Sequence, residues 1–237
     1  MRLDPVVALR TIAGLSLVLF PLMFMAVFAL HMESPAEILQ FRLRHDPYLA
    51  PDIMAALTDP ARSQRYYVLP HLVGYLSMPV LIGAALGLGY ILYRARPWLA
   101  IVGAAMTCVG AVFMAGMLAM WLSFAAIGNV DNEQVAGAIP ALEALIEMQG
   151  PLLLSTILTA FSLLGLMVLA VGLFLSRLVP RWSAAMIFIG SVMMSVFIDV
   201  DNLMFIGALV TFFGMAPIGW RLIRGELPAG HDAVIGP

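Results

Sequence analysis

Long apolar runs separated by short charged junctions dominate the pattern along the chain. They predict six transmembrane helices, over about 6–30, 67–93, 98–126, 151–175, 182–198 and 203–223. A hydrocarbon core roughly 30 Å thick needs about 20 apolar residues per helix, and most of these runs meet that length. The first run, Thr11–Leu30, follows Arg2 and Arg10 in the order of a signal peptide. It is longer than an ordinary signal h-region, so it reads as the first membrane helix.

Punctuation residues refine these limits. Asp4 followed by Pro5 is an N-cap with a first-turn proline. Pro70, Pro97, Pro151 and Pro180 lie at or near later starts, whereas Pro21, Pro79 and Pro217 fall inside spans, where each frees a carbonyl and bends its helix. The stretch from Trp182 to Ile223 is too long for one helix. Asp199-Val200-Asp201-Asn202 is turn chemistry, so two helices are expected there. One tilted span would bury two acids, at a cost of several kcal/mol.

The polar segments form loops that shorten along the chain, about 31–66, 127–150 and 199–202. Ser34-Pro35-Ala36-Glu37 is a capping box that starts a short helix towards His45. Asp59-Pro60 begins another turn that merges with the second span, and Asp131 with Gln134 makes a further cap. Ala138–Met148 alternates Ile139, Leu142, Leu145 and Ile146 with Glu143 and Glu147, as a helix lying on the leaflet or over the bundle would. Residues 1–224 therefore read as one membrane domain with a small helical outer cap, and 225–237 as a disordered cytoplasmic tail.

Composition agrees with a membrane protein. Of 237 residues, 62% are hydrophobic and 11% charged, with a mean hydropathy of +1.00. A soluble domain carries about 25% charged residues. The 12 basic residues are all arginine, which excludes a Schiff-base lysine, and no basic tract points to nucleic acid. The single Cys108 has no partner for an internal disulfide.

Arginine also predicts orientation. Arg2, Arg10, Arg94, Arg96, Arg177, Arg181, Arg221 and Arg224 fall on one side of the spans. Only Arg42, Arg44, Arg62 and Arg65 fall on the other, within one long loop. The positive-inside rule then places both termini in the cytoplasm, in what is expected to be a bacterial cytoplasmic membrane. Trp98, Trp182 and Trp220 flank the larger arginine group as an interfacial belt, and Trp121, Tyr66 and Tyr67 mark the opposite interface. The junctions Tyr93-Arg94-Ala95-Arg96-Pro97-Trp98 and Arg177-Leu178-Val179-Pro180-Arg181-Trp182 are alike. They point to three parallel helical-hairpin repeats, although interfacial loops favour arginine, proline and tryptophan in any case.

Candidate chemistry is sparse. His31, His45 and His71 map to the outer side with Glu143, Glu147, Asp199 and Asp201, a set suited to a divalent metal or another ion but without His-x3-His spacing. His31 and His71 are also the only histidines placed to ligate a haem. Met114, Met117 and Met120 share roughly one helix face in the outer half of span three, where thioethers would suit Cu(I). Each has a plain alternative, since methionine fills gaps in apolar packing and a single buried histidine commonly serves its own fold. Gly83 and Gly87 form a GxxxG packing motif in span two, and Gly103 and Gly110 lie seven apart in span three. No nucleophile elbow or metalloprotease helix is present, and no charge sits at mid-depth for a coupled carrier. The sequence thus favours a non-catalytic accessory, scaffolding or sensory subunit that packs against lipids, other membrane subunits or copies of itself, with no cofactor implied. The alternative is a small transporter or a Cu/Zn-handling protein using the outer histidines, acids and methionines.

Overall fold

Aspartate and proline set the first helix starts. Asp4 caps α1 (Pro5–His31), accepting the Val6 N–H at 2.9 Å, with Pro5 where no N–H is needed. Asp59 repeats the device with the N–H groups of Ala61 and Arg62 at 3.0 and 3.2 Å. It opens α2, Pro60–Leu92, about two turns before the apolar pattern alone predicts. Residues 63–68 of α2 are π-helical. Pro70 explains their position, because it donates no N–H and its ring crowds the carbonyl four residues back, which a widened turn accommodates.

The structure, a computed structural model, describes residues 4–32, 57–127, 137, 139–144, 147, 150–197 and 200–227. The remaining long helices are α3 (Pro97–Ile127), α4 (Pro151–Ser176), α5 (Arg181–Val196) and α6 (Asp201–Arg224). All regular structure among the described residues is helical. Five of the helices, α1, α2, α3, α4 and α6, are long and apolar enough to cross a membrane. The sixth span expected at 182–198 is the shorter α5, whose 16 residues reach roughly 24 Å at 1.5 Å per residue. Helix α5 ends at Val196 and α6 begins at Asp201 with Val200 at its N-cap, so two helices stand where the sequence predicts them, but Asp201 and Asn202, expected in the turn, form the first turn of α6.

Each helix packs on the next in sequence, and α6 returns to α1, so the six close into a ring. α2 also touches α4 across it. One apolar cluster fills the interior with Leu17, Phe20, Leu88, Leu173, Ile187 and Met215, drawn from five helices, all fully buried. Small residues set the helix spacing. On the α3–α4 seam a Cβ on Gly110 would meet the backbone of Phe161 and Ser162, and one on Gly165 would meet Thr107 and the Gly103 carbonyl. The α5–α6 seam matches it: Gly190 faces Thr211 and the Gly207 carbonyl, and Gly214 faces the backbone of Ser183 and Ile187. The shared pattern is Gly-x3-Thr-x2-Gly at 103–110 and again at 207–214. Each threonine hydroxyl donates to the carbonyl four residues back, Thr107 to Gly103 and Thr211 to Gly207, both at 2.9 Å. The hydroxyl is thereby satisfied within its own helix, and the side chain serves as a small spacer. Gly83 and Gly87 face Ser16 and Ala13 of α1, so this GxxxG motif packs within the ring.

At the arginine-rich end, Gly225 closes α6 in the left-handed region with φ +73°. A Cβ there would lie 2.6 Å from Nη1 of Arg10, whose guanidinium covers the negative end of the α6 dipole. Gly225→Ala is therefore expected to cost about 1–2 kcal/mol through the left-handed penalty alone. A thermal melt of the purified variant in detergent checks it, and an unchanged midpoint would show that the cap relaxes freely. Leu227 is buried in the core cluster, so the chain stays on the bundle for three residues past α6. At the opposite end residues 139–144 are helical, and Leu142 is fully buried against Leu57, Phe124 and Ala125. That segment therefore lies over the helix ends, with Glu143 and Glu147 exposed. The capping boxes at Ser34 and Asp131, together with His45, Met148, Asp199 and the tail 228–237, lie outside the described residues.

Candidate functional site at the histidine end

Four helices bring their polar and aromatic residues together at the end opposite the larger arginine group. α1 contributes His31, its last residue. α2 contributes Tyr67 and His71 on successive turns, α3 contributes Trp121, and α6 contributes Asp201 in its first turn. The His31 and His71 rings meet edge to face, with centroids 5.3 Å apart. Tyr67 stacks parallel to His71 at 6.2 Å, and Trp121 lies 5.5 Å from His71 and 6.1 Å from Tyr67. His31 Nδ1 is 4.0 Å from Asp201 Oδ1, so protonation of His31 would make an ion pair there.

Local structure orients His71. Its Nδ1 lies 2.7 Å from the Tyr67 carbonyl. A carbonyl only accepts, so Nδ1 carries the proton, and in the neutral ring Nε2 keeps the lone pair. The π-helical turn lies immediately before this bond and presents Tyr67 and His71 on one face. Arg65 of the same turn donates from Nη2 to the Met32 carbonyl at 3.3 Å, which ties the end of α1 to α2. His71 and Asn202 are buried, whereas the side chains of His31 and Asp201 keep 26% and 17% of their exposure. The cluster therefore buries His71 and Asn202 and leaves Tyr67, Trp121, His31 and Asp201 partly exposed around them.

This arrangement bears on each candidate chemistry. His31 and His71 converge, as their common depth predicts, and Asp201 joins them. Among the described residues no three His, Cys, Asp or Glu side chains gather closely enough to hold a metal ion. Two imidazoles in direct edge-to-face contact also leave no slot for a porphyrin between them, so the pair does not fit axial ligation of one haem. The three methionines divide. Met114 packs on the main core, while Met117 and Met120 pack with Trp121, Phe124 and Leu142 in the smaller cluster. Tyr67 and Trp121, which read from sequence only as interfacial aromatics, prove to be the partners of His71. The signal for this was available, since Tyr67 and His71 are spaced i, i+4.

At the other end Arg94, Arg96 and Trp98 are exposed, Trp98 at 77%. Arg181 lies over the Phe174 ring at 5.2 Å and Arg224 over Trp220 at 4.7 Å, with Trp182 exposed beside them. Arg221 and Arg224 pair with Glu226 at 3.8 and 3.7 Å. Arg177 caps α4 in the left-handed region with φ 58°, a place usually held by glycine. Comparison of the chain with protein-family models, curated proteins and solved structures finds no match.

Proposed function

We propose that the chain is a non-catalytic membrane subunit, accessory or scaffolding in character, that works by presenting α3 to a helix of a partner membrane protein. The observation that supports this reading is the outward face of α3. Only 22% of its membrane-length window is buried within the chain, against 39–50% for the other four long helices. Its unburied stripe is Ala105, Val109, Val112 and Gly116, spaced i, i+4, i+7 and i+11, with nothing within 4 Å of a Cβ on Gly116. Ala105 and Gly116 are small enough to let a second helix approach closely, with the exposed Val109 and Val112 between them to pack against it. In the same reading all six helices cross, α5 aided by the snorkelling Arg181, and the arginine-rich end faces the cytoplasm.

The test is co-purification from native membranes in a mild detergent. Wild type is expected to bring a partner, and Val112→Trp combined with Gly116→Leu is expected to weaken that association about tenfold without changing the melting midpoint. A wild-type chain that elutes as a lone monodisperse monomer sinks the proposal, and one that elutes as a homo-oligomer replaces the partner with a second copy. The approach of His31 to Asp201 at 4.0 Å supports one second reading, an outer-face ion handler, although the described residues gather no three metal-ligating side chains there. Metal analysis of the purified chain, with His71→Ala as control, tests it.

A further inference from the structure

A groove of about 450 Å³ opens on the membrane-facing side of the α2–α3 hairpin at its arginine-rich end. Its floor is made of small residues, because Gly89 approaches closely enough that a Cβ there would lie 3.3 Å from the Ala104 Cβ and 3.5 Å from the Ala100 carbonyl. Its walls are Leu86 and Tyr90 of α2 and Ile101 of α3, all half-exposed. Its mouth is Tyr93 and Arg94. The chemistry along the groove is graded. It is apolar towards the middle of the helices, phenolic at the helix end, and cationic beyond.

We propose that this groove binds an anionic phospholipid, with one acyl chain along the Gly89–Ala104 floor and the phosphate on Arg94 and the Tyr93 hydroxyl. Charge and shape select this occupant. The junction Tyr93–Pro97 holds two arginines and no acid, and Arg94 makes no ion pair among the described residues. A guanidinium takes phosphate oxygens in a bidentate fork, and phenols at the helix end sit at headgroup level. The half-exposed Leu86, Tyr90 and Ile101 flank the floor where Gly89 meets Ala104, which suits a single acyl chain better than the close approach of a partner helix. The proposal rests on the membrane-crossing character of α2 and α3 and is independent of any partner on the outward stripe of α3.

The experiment is native mass spectrometry of the full chain in detergent, titrated with phosphatidylglycerol, phosphatidylcholine or inorganic phosphate. Phosphatidylglycerol is expected to bind about tenfold more tightly than phosphatidylcholine, and inorganic phosphate is expected not to compete at equal concentration. Arg94→Gln should abolish the preference. Arg96→Gln, outside the groove, should keep it, and Ile101→Trp should lower binding of both lipids by filling the channel. Equal retention of the two lipids, displacement by phosphate alone, or the same loss from Arg94→Gln and Arg96→Gln would each overturn the site.

Discussion

Gly110→Ala is expected to break the α3–α4 seam, and Gly116→Ala, six residues along the same helix, is expected to leave the protein intact. The added methyl at Gly110 lands on the backbone of Phe161 and Ser162, which cannot rotate aside as a side chain would. The two helices must separate, and separation also opens the contacts of Gly165 with Thr107 and of Gly103 with Leu169. Overpacking of this kind costs about 1–3 kcal/mol at sites that can shift, and more where backbone blocks the way. At Gly116 nothing lies within 4 Å, so alanine there is neutral or stabilises by about 0.5–1 kcal/mol through helix propensity. Fluorescence-detected size exclusion with a thermal ramp reads the difference. Equal midpoints for the two variants would show that α3 and α4 do not meet backbone to backbone at Gly110.

The contrast between these glycines shows how far the sequence can be read. The apolar runs, the Asp4-Pro5 and Asp59-Pro60 starts and the break before Asp201 are all visible in it, because each follows from local backbone chemistry. The extent of α2 needed more, since the stretch 60–66 is too polar to read as membrane helix and is held by the Asp59 cap and by the π-helical geometry of Ser63–Val68 ahead of Pro70. The seams were half visible. Gly103 and Gly110 stand out, yet only the structure pairs them with Gly165 and Ser162 and repeats the Gly-x3-Thr-x2-Gly pattern in α6. Sequence spacing assigns residues to a face, but which neighbour that face meets depends on ring closure, a property of all six helices together. The histidine cluster is of the same kind. Depth places His31, His71 and Asp201 at one level, and only the return of α6 to α1 brings Asp201 to His31.

His71→Ala and His71→Phe together are expected to separate a core histidine from a ligand histidine. The ring of His71 touches three others, His31, Tyr67 and Trp121, at centroid distances of 5.3, 6.2 and 5.5 Å. Alanine removes all three contacts and leaves a cavity, an expected loss of about 2–4 kcal/mol. Phenylalanine keeps a ring in the stack and gives up only the Nδ1–H bond to the Tyr67 carbonyl, about 1 kcal/mol. The melting midpoint should therefore fall far more for His71→Ala than for His71→Phe. Metal analysis divides the same pair differently, because either substitution removes Nε2. If bound metal disappears in both variants while stability survives in His71→Phe, the nitrogen serves a ligand and the ring serves the fold. If wild type and both variants carry metal at the same background level, the imidazole of His71 is there for packing, and the partly exposed His31–Asp201 pair is the remaining polar group at this end. Equal destabilisation by alanine and phenylalanine would contradict the stacking account, because the hydrogen bond to Tyr67 would then hold the π-turn in place.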